Sequence, residues 1–422
     1  MMTEAAKKRF EEKDARIRTT IALKEPDRVP IQVSGSIYAV ARAGYTMAEI
    51  VYDESMEKMK DAMFRYQEEY DPDTAMGAEQ LAGQGRALEI IAPTFIDWPG
   101  RPGNKLDVNS LMQFIEFEVL EDEDFDFFFS DRTGWEMKKS MPLLAGFAKP
   151  LQDIKIPLSH RGTMMDLIRS FSKPEVQKFV EQCVWLNDFF KENAKRRAEI
   201  NRAAVEQGFP TYGGGKAMVA FDEYSDTLRG TLASLMDLYE RPEDVERFID
   251  EFHPQMIDQI RHMNPDGSKT GKFVNMTLHK GLDGFMSDEY YIKYYWRYLQ
   301  EIIEAIVDVG MVPYVFCEGK YLTRVQHLKD IPAGKVVYKF EDTPMELAKE
   351  VVGDVACITG GFDNTLLSYG TVQQVEDACK KMIDVCAPGG GFIFQTKSSL
   401  IDTCKPENVE AMFRTVREYG KY

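Results

Sequence analysis

The chain has 422 residues, with 52 Lys and Arg against 69 Asp and Glu, for a formal net charge of −17. That excess of acid disfavours nucleic acid or an anionic membrane as the main partner, while leaving room for a local basic pocket. With 44% hydrophobic and 29% charged residues the composition is that of a globular protein, not a disordered one.

The opening MMTEAAKKRFEEKDAR is polar and mixed in charge, with no apolar signal core. No later stretch approaches 18 uncharged apolar residues, so a cytoplasmic location without a membrane partner is expected. Residues 1–25 read as a helical extension. RVPIQVS (28–34) and PDTAMG (72–77) read as the first two strands. A long excursion over 80–215 follows, expected to lie over one end of the sheet as a lid or a docking surface. It holds FIDWPGRPGNKLD, the acidic run EDEDFDFFFSD and a helical stretch at 173–206. The acidic run is read as a solvated turn with its Phe residues packed inward. KAMVAF (216–221) reads as the third strand, and KFVNMTLH (272–279) as the fourth.

Over 288–309, Ile292, Tyr295, Trp296, Leu299, Ile302, Ile303 and Ile306 recur at helical spacing, with Ser287 as the cap and Gly310 as the stop. VPYVFC (312–317), VVYKFE (336–341), VACITG (355–360) and GFIFQ (391–395) read as strands. Helices are expected at 321–330, after Pro344, at 371–386 and at 406–418. Strands alternating with helices imply a parallel sheet with right-handed crossovers. Eight such units favour a single (β/α)8 TIM barrel over 1–422, with the N-terminal extension and a large insertion between strands 2 and 3. The six cysteines form no CxxC pair and are too sparse for a disulfide framework, so reduced core residues are expected.

In such a barrel the chemistry sits at the C-terminal ends of the strands. Those ends carry Glu79; Asp222, Glu223 and Tyr224; His279, Lys280 and Asp283; Cys317, Glu318 and Lys320; Glu341 and Asp342; Asp363; Gln395 and Lys397. His279 is one of five histidines and titrates near neutrality, which suits a proton donor or a ligand. Glu318 is a strand-end carboxylate suited to general acid work or zinc binding. Side chains alternate across a strand, so Glu318 is expected to face inward and Cys317 toward a helix. Lys339 and Glu341 share a face and are read as pocket lining. Asp222 is either an acid–base group or a helix N-terminal charge. Lys280, Lys320, Lys339 and Lys397 gather at one end, so the pocket is expected to be more basic than the surface. The glycine pairs and runs at 213–215, 360–361 and 389–391 lack nucleotide-loop context and read as turns or connections. No GxSxG, HExxH, four-cysteine zinc pattern or GxGxxG is present.

RIRTTIALKEPDRVPIQ, AGYTMAEIVYDESMEKMKDAM, YDPDTA, HKGLDGFMS, FCEGKY, GDVACITGGFDNTLLSYGTVQQVEDACKKMID and the closing KPENVEAMFRTVREYGKY together resemble the uroporphyrinogen decarboxylase superfamily, collinearly along nearly the whole chain. The resemblance implies a (β/α)8 barrel and either decarboxylation of a tetrapyrrole or methyl transfer involving a corrinoid protein. The decarboxylase's Arg-Gln-Ala-Gly-Arg-Tyr segment is replaced here by GSIYAVARAGYT, with Arg42 as its lone basic residue. Relatives that methylate thiols carry His-x-Cys where this chain has Phe316-Cys317-Glu318, so their zinc site is not preserved. The segments look closest to the O-demethylase-like branch. That implies a small methylated donor, an aryl methyl ether, and a partner corrinoid (cobalamin) protein. In that reading Glu318, His279 and Asp222 are catalytic, and Tyr224, Asp283, Lys320, Lys339, Glu341 and Glu79 bind substrate. A zinc ion held through Glu318 is a further expectation, opposed by the charge of Lys339. A decarboxylating lyase and a non-catalytic subunit docking a corrinoid protein are the alternatives.

Overall fold

In the computed structural model, which describes residues 2–155 and 160–422, the first long element is the helix Glu4–Ile21, capped by Thr3. Two short strands, β1 (Ile96–Asp97) and β2 (Gln113–Phe114), pair antiparallel within the excursion. The main sheet holds β3 (Gly213–Lys216), β4 (Phe273–Leu278), β5 (Val312–Cys317), β6 (Val337–Phe340), β7 (Cys357–Phe362) and β8 (Phe392–Thr396). These six strands are parallel and lie side by side in chain order. Parallel neighbours need crossovers, and helices supply most of them. They include Pro242–Arg261, the helical stretch from Asp288 to Asp308, Met345–Val352 and Val372–Cys386, with Pro406–Tyr419 after β8. The architecture is α/β and TIM-barrel-like. Ser287 caps its helix by accepting from Tyr290 N, and Thr371 closes a capping box with Gln374, both local sequence signals realised in place. Among the described residues no helix is long and apolar enough to cross a membrane.

The first three expected strands come out differently. Residues 28–34 and 72–77 form no regular ladder. Ile31 bridges Phe394 in parallel, Phe394 N donates to Pro30 O at 2.8 Å, Asp73 N to Ile31 O at 2.8 Å and Ala75 N to Pro210 O at 2.8 Å. Pro30 and Pro72 lack the N–H that a continuous ladder uses. The strand expected at KAMVAF lies earlier, at the glycine run of β3, and Ala220–Glu223 is already helical. Apolar MVAF packs into the core at a helix start, a burial that a short apolar run does not distinguish from a strand. The helix expected at 321–330 is a 3-10 turn, Arg324–Lys329. The stretch at 173–206 is one helix, Pro174–Glu206. Part of the 80–215 excursion, residues 156–159, lies outside the described residues. In the acidic run Phe125 and Phe128 are buried, as expected, with Phe128 edge-on to Trp135.

The two faces of the sheet pack differently. Val274, Met276, Val315, Cys317, Tyr338, Phe340, Ile358 and Phe392 join the large core under the crossover helices. On the other, inner face, Phe273, Tyr314, Val337, Cys357 and Ile393 form a layer against Ile17 and Ile21 of the N-terminal helix. That helix is fixed by charge as well. Asp73 is fully buried and accepts from Arg16, from Arg28 Nη1 at 2.7 Å and from Ile31 N at 2.7 Å. Burial alone would raise its pKa, but the two arginines outweigh that and hold the carboxyl below its ordinary value.

Candidate active site

Register fixes what stands above that inner layer. Thr277 pairs with Phe316, Phe316 with Lys339 and Lys339 with Thr359, so these four lie level on one face. One step further along the strands come His279, Glu318 and Glu341, just past the ends of β4, β5 and β6. The arrangement is a cup with a mixed polar and aromatic wall and a charged rim.

The rim centres on His279. Its Nδ1 meets Asp226, and its Nε2 lies 3.4 Å from Glu318 Oε2. The bond to Asp226 is the main reason the imidazole pKa rises above 6.5; burial opposes it, and Asp222 and Glu318 add attraction. The side chains of His279 and Glu318 are 36% and 47% exposed, so both face solvent at the rim. Asp226 also takes Lys280 Nζ at 2.9 Å.

Asp222 lies behind this group, fully buried. It accepts from Lys280 N at 2.8 Å, His279 N at 3.4 Å and the Tyr295 hydroxyl. Burial pushes its pKa up to about 7. Its geometry is that of a clamp on the β4 loop, holding His279 in place from the backbone side.

The other expected residues spread over several roles. Glu341 accepts from Gly319 N at 2.8 Å, tying the β5 and β6 loops. Asp283 accepts from Thr323 Oγ1 at 2.6 Å and from the Leu322 and Thr323 amides, tying the β4 and β5 loops. Lys320 is exposed. Tyr224 is withdrawn from the cup: fully buried, it donates to Asp237 Oδ2 at 2.6 Å inside a cluster with Arg229. Glu79 sits beside a separate cavity of about 200 Å³ with Met47, Val51 and Met112, its pKa raised by burial. Cys317 is buried on the outer side, and burial pushes its thiol pKa up, which is the orientation expected from strand alternation. Lys280 and Lys397 are balanced by carboxylates, the latter by Asp342 at 3.3 Å and Asp363 at 3.7 Å.

Asp226 is absent from the residues singled out in the sequence, and Tyr295 enters there only as part of a helix's apolar face. The available signal was spacing: Asp222 and Asp226 are four apart at a helix start, hence on one face. Gly360 and Gly361 take positive φ, 91° and 75°, as the turn reading requires. A Cβ at Gly360 would lie 2.2 Å from Phe340 O.

A TIM-barrel-like α/β sheet with an ionisable rim at its strand ends is an enzyme-like scaffold, and its kinship follows from sequence. Residues 220–419 match the family model described as Uroporphyrinogen decarboxylase (URO-D), in keeping with the resemblance read from the sequence. Among solved structures the chain is similar to a methyltransferase from Methanosarcina mazei, with a TM-score of 0.55 and 14% identity over 96% of this chain and 98% of that one. At that identity the likeness is one of fold. No curated protein matches the chain.

Proposed function

We propose that the chain is a methyltransferase that moves a methyl group from a small donor, an aryl methyl ether, to a corrinoid carried by a partner protein. The URO-D family match and the fold likeness support the class. We also take the sheet to close as an eight-membered barrel around the donor. The backbone contacts running from Phe394 to Pro30, from Ile31 to Asp73 and from Ala75 to Pro210 support closure.

The observation that carries the reading is His279 held between Asp226 and Glu318 at an accessible rim. Loss of a methyl group leaves an aryl oxygen that needs a proton. Asp226 fixes the ring and favours its protonated form, so Nε2 or the neighbouring Glu318 can deliver that proton. Asp222 and Tyr295 keep the loop still, so the donating atom holds its position. A corrinoid, when bound, would supply a cobalt(I) nucleophile, and the solvent-facing rim fits approach from outside.

Zinc fits poorly. Cys317 faces the outer core, Cys404 is buried beside Ser368, and among the described residues no three His, Cys, Asp or Glu are grouped to hold a metal. No step here runs through it.

The test mixes the purified protein with a reduced corrinoid protein and a panel of methoxylated aromatics, following the corrinoid spectrum. A donor-dependent spectral change is expected. No change with any donor, together with binding of a porphyrinogen, overturns the reading. The family description favours decarboxylation as the second reading. Against it, Arg42 lies on the helix Ser36–Arg42 and pairs outward with Glu69 at 3.0 Å, so it is not offered to a substrate carboxylate.

A further inference from the structure

The end of the sheet opposite the rim carries a cavity that the proton-transfer scheme does not use. It measures about 490 Å³ and lies where the helix Glu4–Ile21, the helix Glu57–Tyr70 and the C-terminal end of Pro174–Glu206 meet. Asp71 and Phe209 on its wall precede the extended segment 72–77 and β3, so it belongs to the entry end of the strands. Its walls are fixed. Gly208, with φ 93°, runs so close to the N-terminal helix that a Cβ there would lie 2.6 Å from Ala6 O. Lys13 ties the same helix to Asp71 at 2.8 Å. Ala5 and Ala6 present only methyl groups to the space, and Phe64 and Phe209 give it an apolar side. A preformed, partly apolar hollow of this size is typical of small-molecule sites.

Three polar groups on this wall are left over. Gln67 is fully buried; its Oε1 accepts from Met76 N at 2.9 Å, while its Nε2 has no partner among the described residues. A buried amide N–H without an acceptor is costly, so an acceptor is needed there. Arg9 makes no ion pair with a described residue. Its guanidinium stands 5.5 Å from the centre of the Phe209 ring, with one long bond to Gln207 O at 3.4 Å. Glu68, on the same wall, makes no ion pair or side-chain hydrogen bond with a described residue. Asp71 and Glu206 are engaged elsewhere. Arg9 and Glu68 thus share one cavity with opposite charges that do not meet.

We propose that this cavity binds a free α-amino acid with an apolar side chain. Its carboxylate meets Arg9 and the Gln67 amide, its ammonium meets Glu68, and its side chain rests against Phe64 and Phe209. A ligand with both charges on one carbon bridges the gap between Arg9 and Glu68. A plain anion would be repelled by Glu68, and a plain cation would leave the Gln67 N–H unmet. The cavity lies at the other end of the strands from His279 and Glu318, so its occupant is not the methyl donor. The proposal stands apart from the methyltransferase reading.

The test is direct calorimetric binding of L-leucine, L-methionine and L-phenylalanine to the full chain, each beside its N-acetyl and its amide derivative. At least one free amino acid is expected to bind with a Kd of about 1 mM or below. Both of its blocked forms are expected to bind about tenfold more weakly or worse, the range of one lost charge-assisted hydrogen bond. Arg9→Gln and Glu68→Gln alter exposed side chains and are each expected to weaken binding by about tenfold. Gln67→Glu keeps an acceptor for Met76 N, loses the donor, and is expected to weaken binding as well. Glu318→Gln, at the far end, is expected to leave binding as it is. No binding of any of the three, equal binding of the blocked forms, or full binding in both Arg9→Gln and Glu68→Gln overturns the proposal. So does loss of binding in Glu318→Gln, which places the amino acid in the cup. The wild-type comparison and the two surface variants decide the matter even where Gln67→Glu fails to fold.

Discussion

His279 and Glu318 come from the ends of neighbouring strands, and their side chains meet at 3.4 Å, imidazole Nε2 to carboxylate Oε2. If this pair delivers the proton to the leaving oxygen, Glu318→Gln and His279→Gln each lower kcat by about a hundredfold or more, with KM little changed. Steady-state methyl transfer measures it. Full activity in either variant removes that residue from the mechanism.

The bond from Asp226 raises the His279 pKa above 6.5. A reaction that needs the protonated ring declines as pH rises through that raised value. Asp226→Asn removes the main cause, so the decline moves to lower pH while the maximal rate at acid pH is less affected. A pH–rate profile of both proteins checks it. An unshifted profile means another group titrates.

For Lys339 the folded pKa, about 8, lies below the ordinary 10.5 because burial disfavours the charged form. Between those values the unfolded chain binds more protons, so this group's penalty is full below pH 8 and fades as pH rises toward 10.5. Lys339→Met is therefore more stable than wild type at pH 7, by up to about 3 kcal/mol, with the gap closing at high pH. Chemical denaturation at several pH values reads the difference, and a wild type as stable as the variant at pH 7 contradicts it.

Asp73 ties the N-terminal helix to the first extended segment through Arg16 and Arg28. Replacing it with Ala leaves the largely buried Arg28 without its carboxylate partner and Arg16 with Asp27 alone, at a cost of about 3 kcal/mol. The carboxyl is held below 3.8, so its contribution is present above that pH and is lost as pH falls through the folded value. Urea midpoints of wild type and variant decide the matter; a shift well under 1 kcal/mol shows the network to be dispensable.

The second half of the chain was legible because its signals are local. Apolar runs of strand length alternate with capped amphipathic helices, and β4 through β8 fall where those runs stand. The first half was harder, since residues 28–34 and 72–77 join the sheet through isolated hydrogen bonds that carry no periodic signature. β3 is a glycine run with no side-chain pattern at all. At the site, strand alternation placed Glu318 and Cys317 on opposite sides. It said nothing of Asp226 or Tyr295, which arrive from helices, and the strand end expected at KAMVAF put Tyr224 in the pocket although its hydroxyl belongs to Asp237.

Strand alternation at Phe316, Cys317 and Glu318 also constrains how this rim can diversify. Residues 316 and 318 border the cup, whereas 317 is locked into the close-packed layer under the helices. Variation at these two alternate positions can therefore change the chemistry of the rim without disturbing the packing beneath the helices. The letter between them stays answerable to packing alone, which makes 316 and 318 the positions at which lineages sharing this scaffold are expected to part.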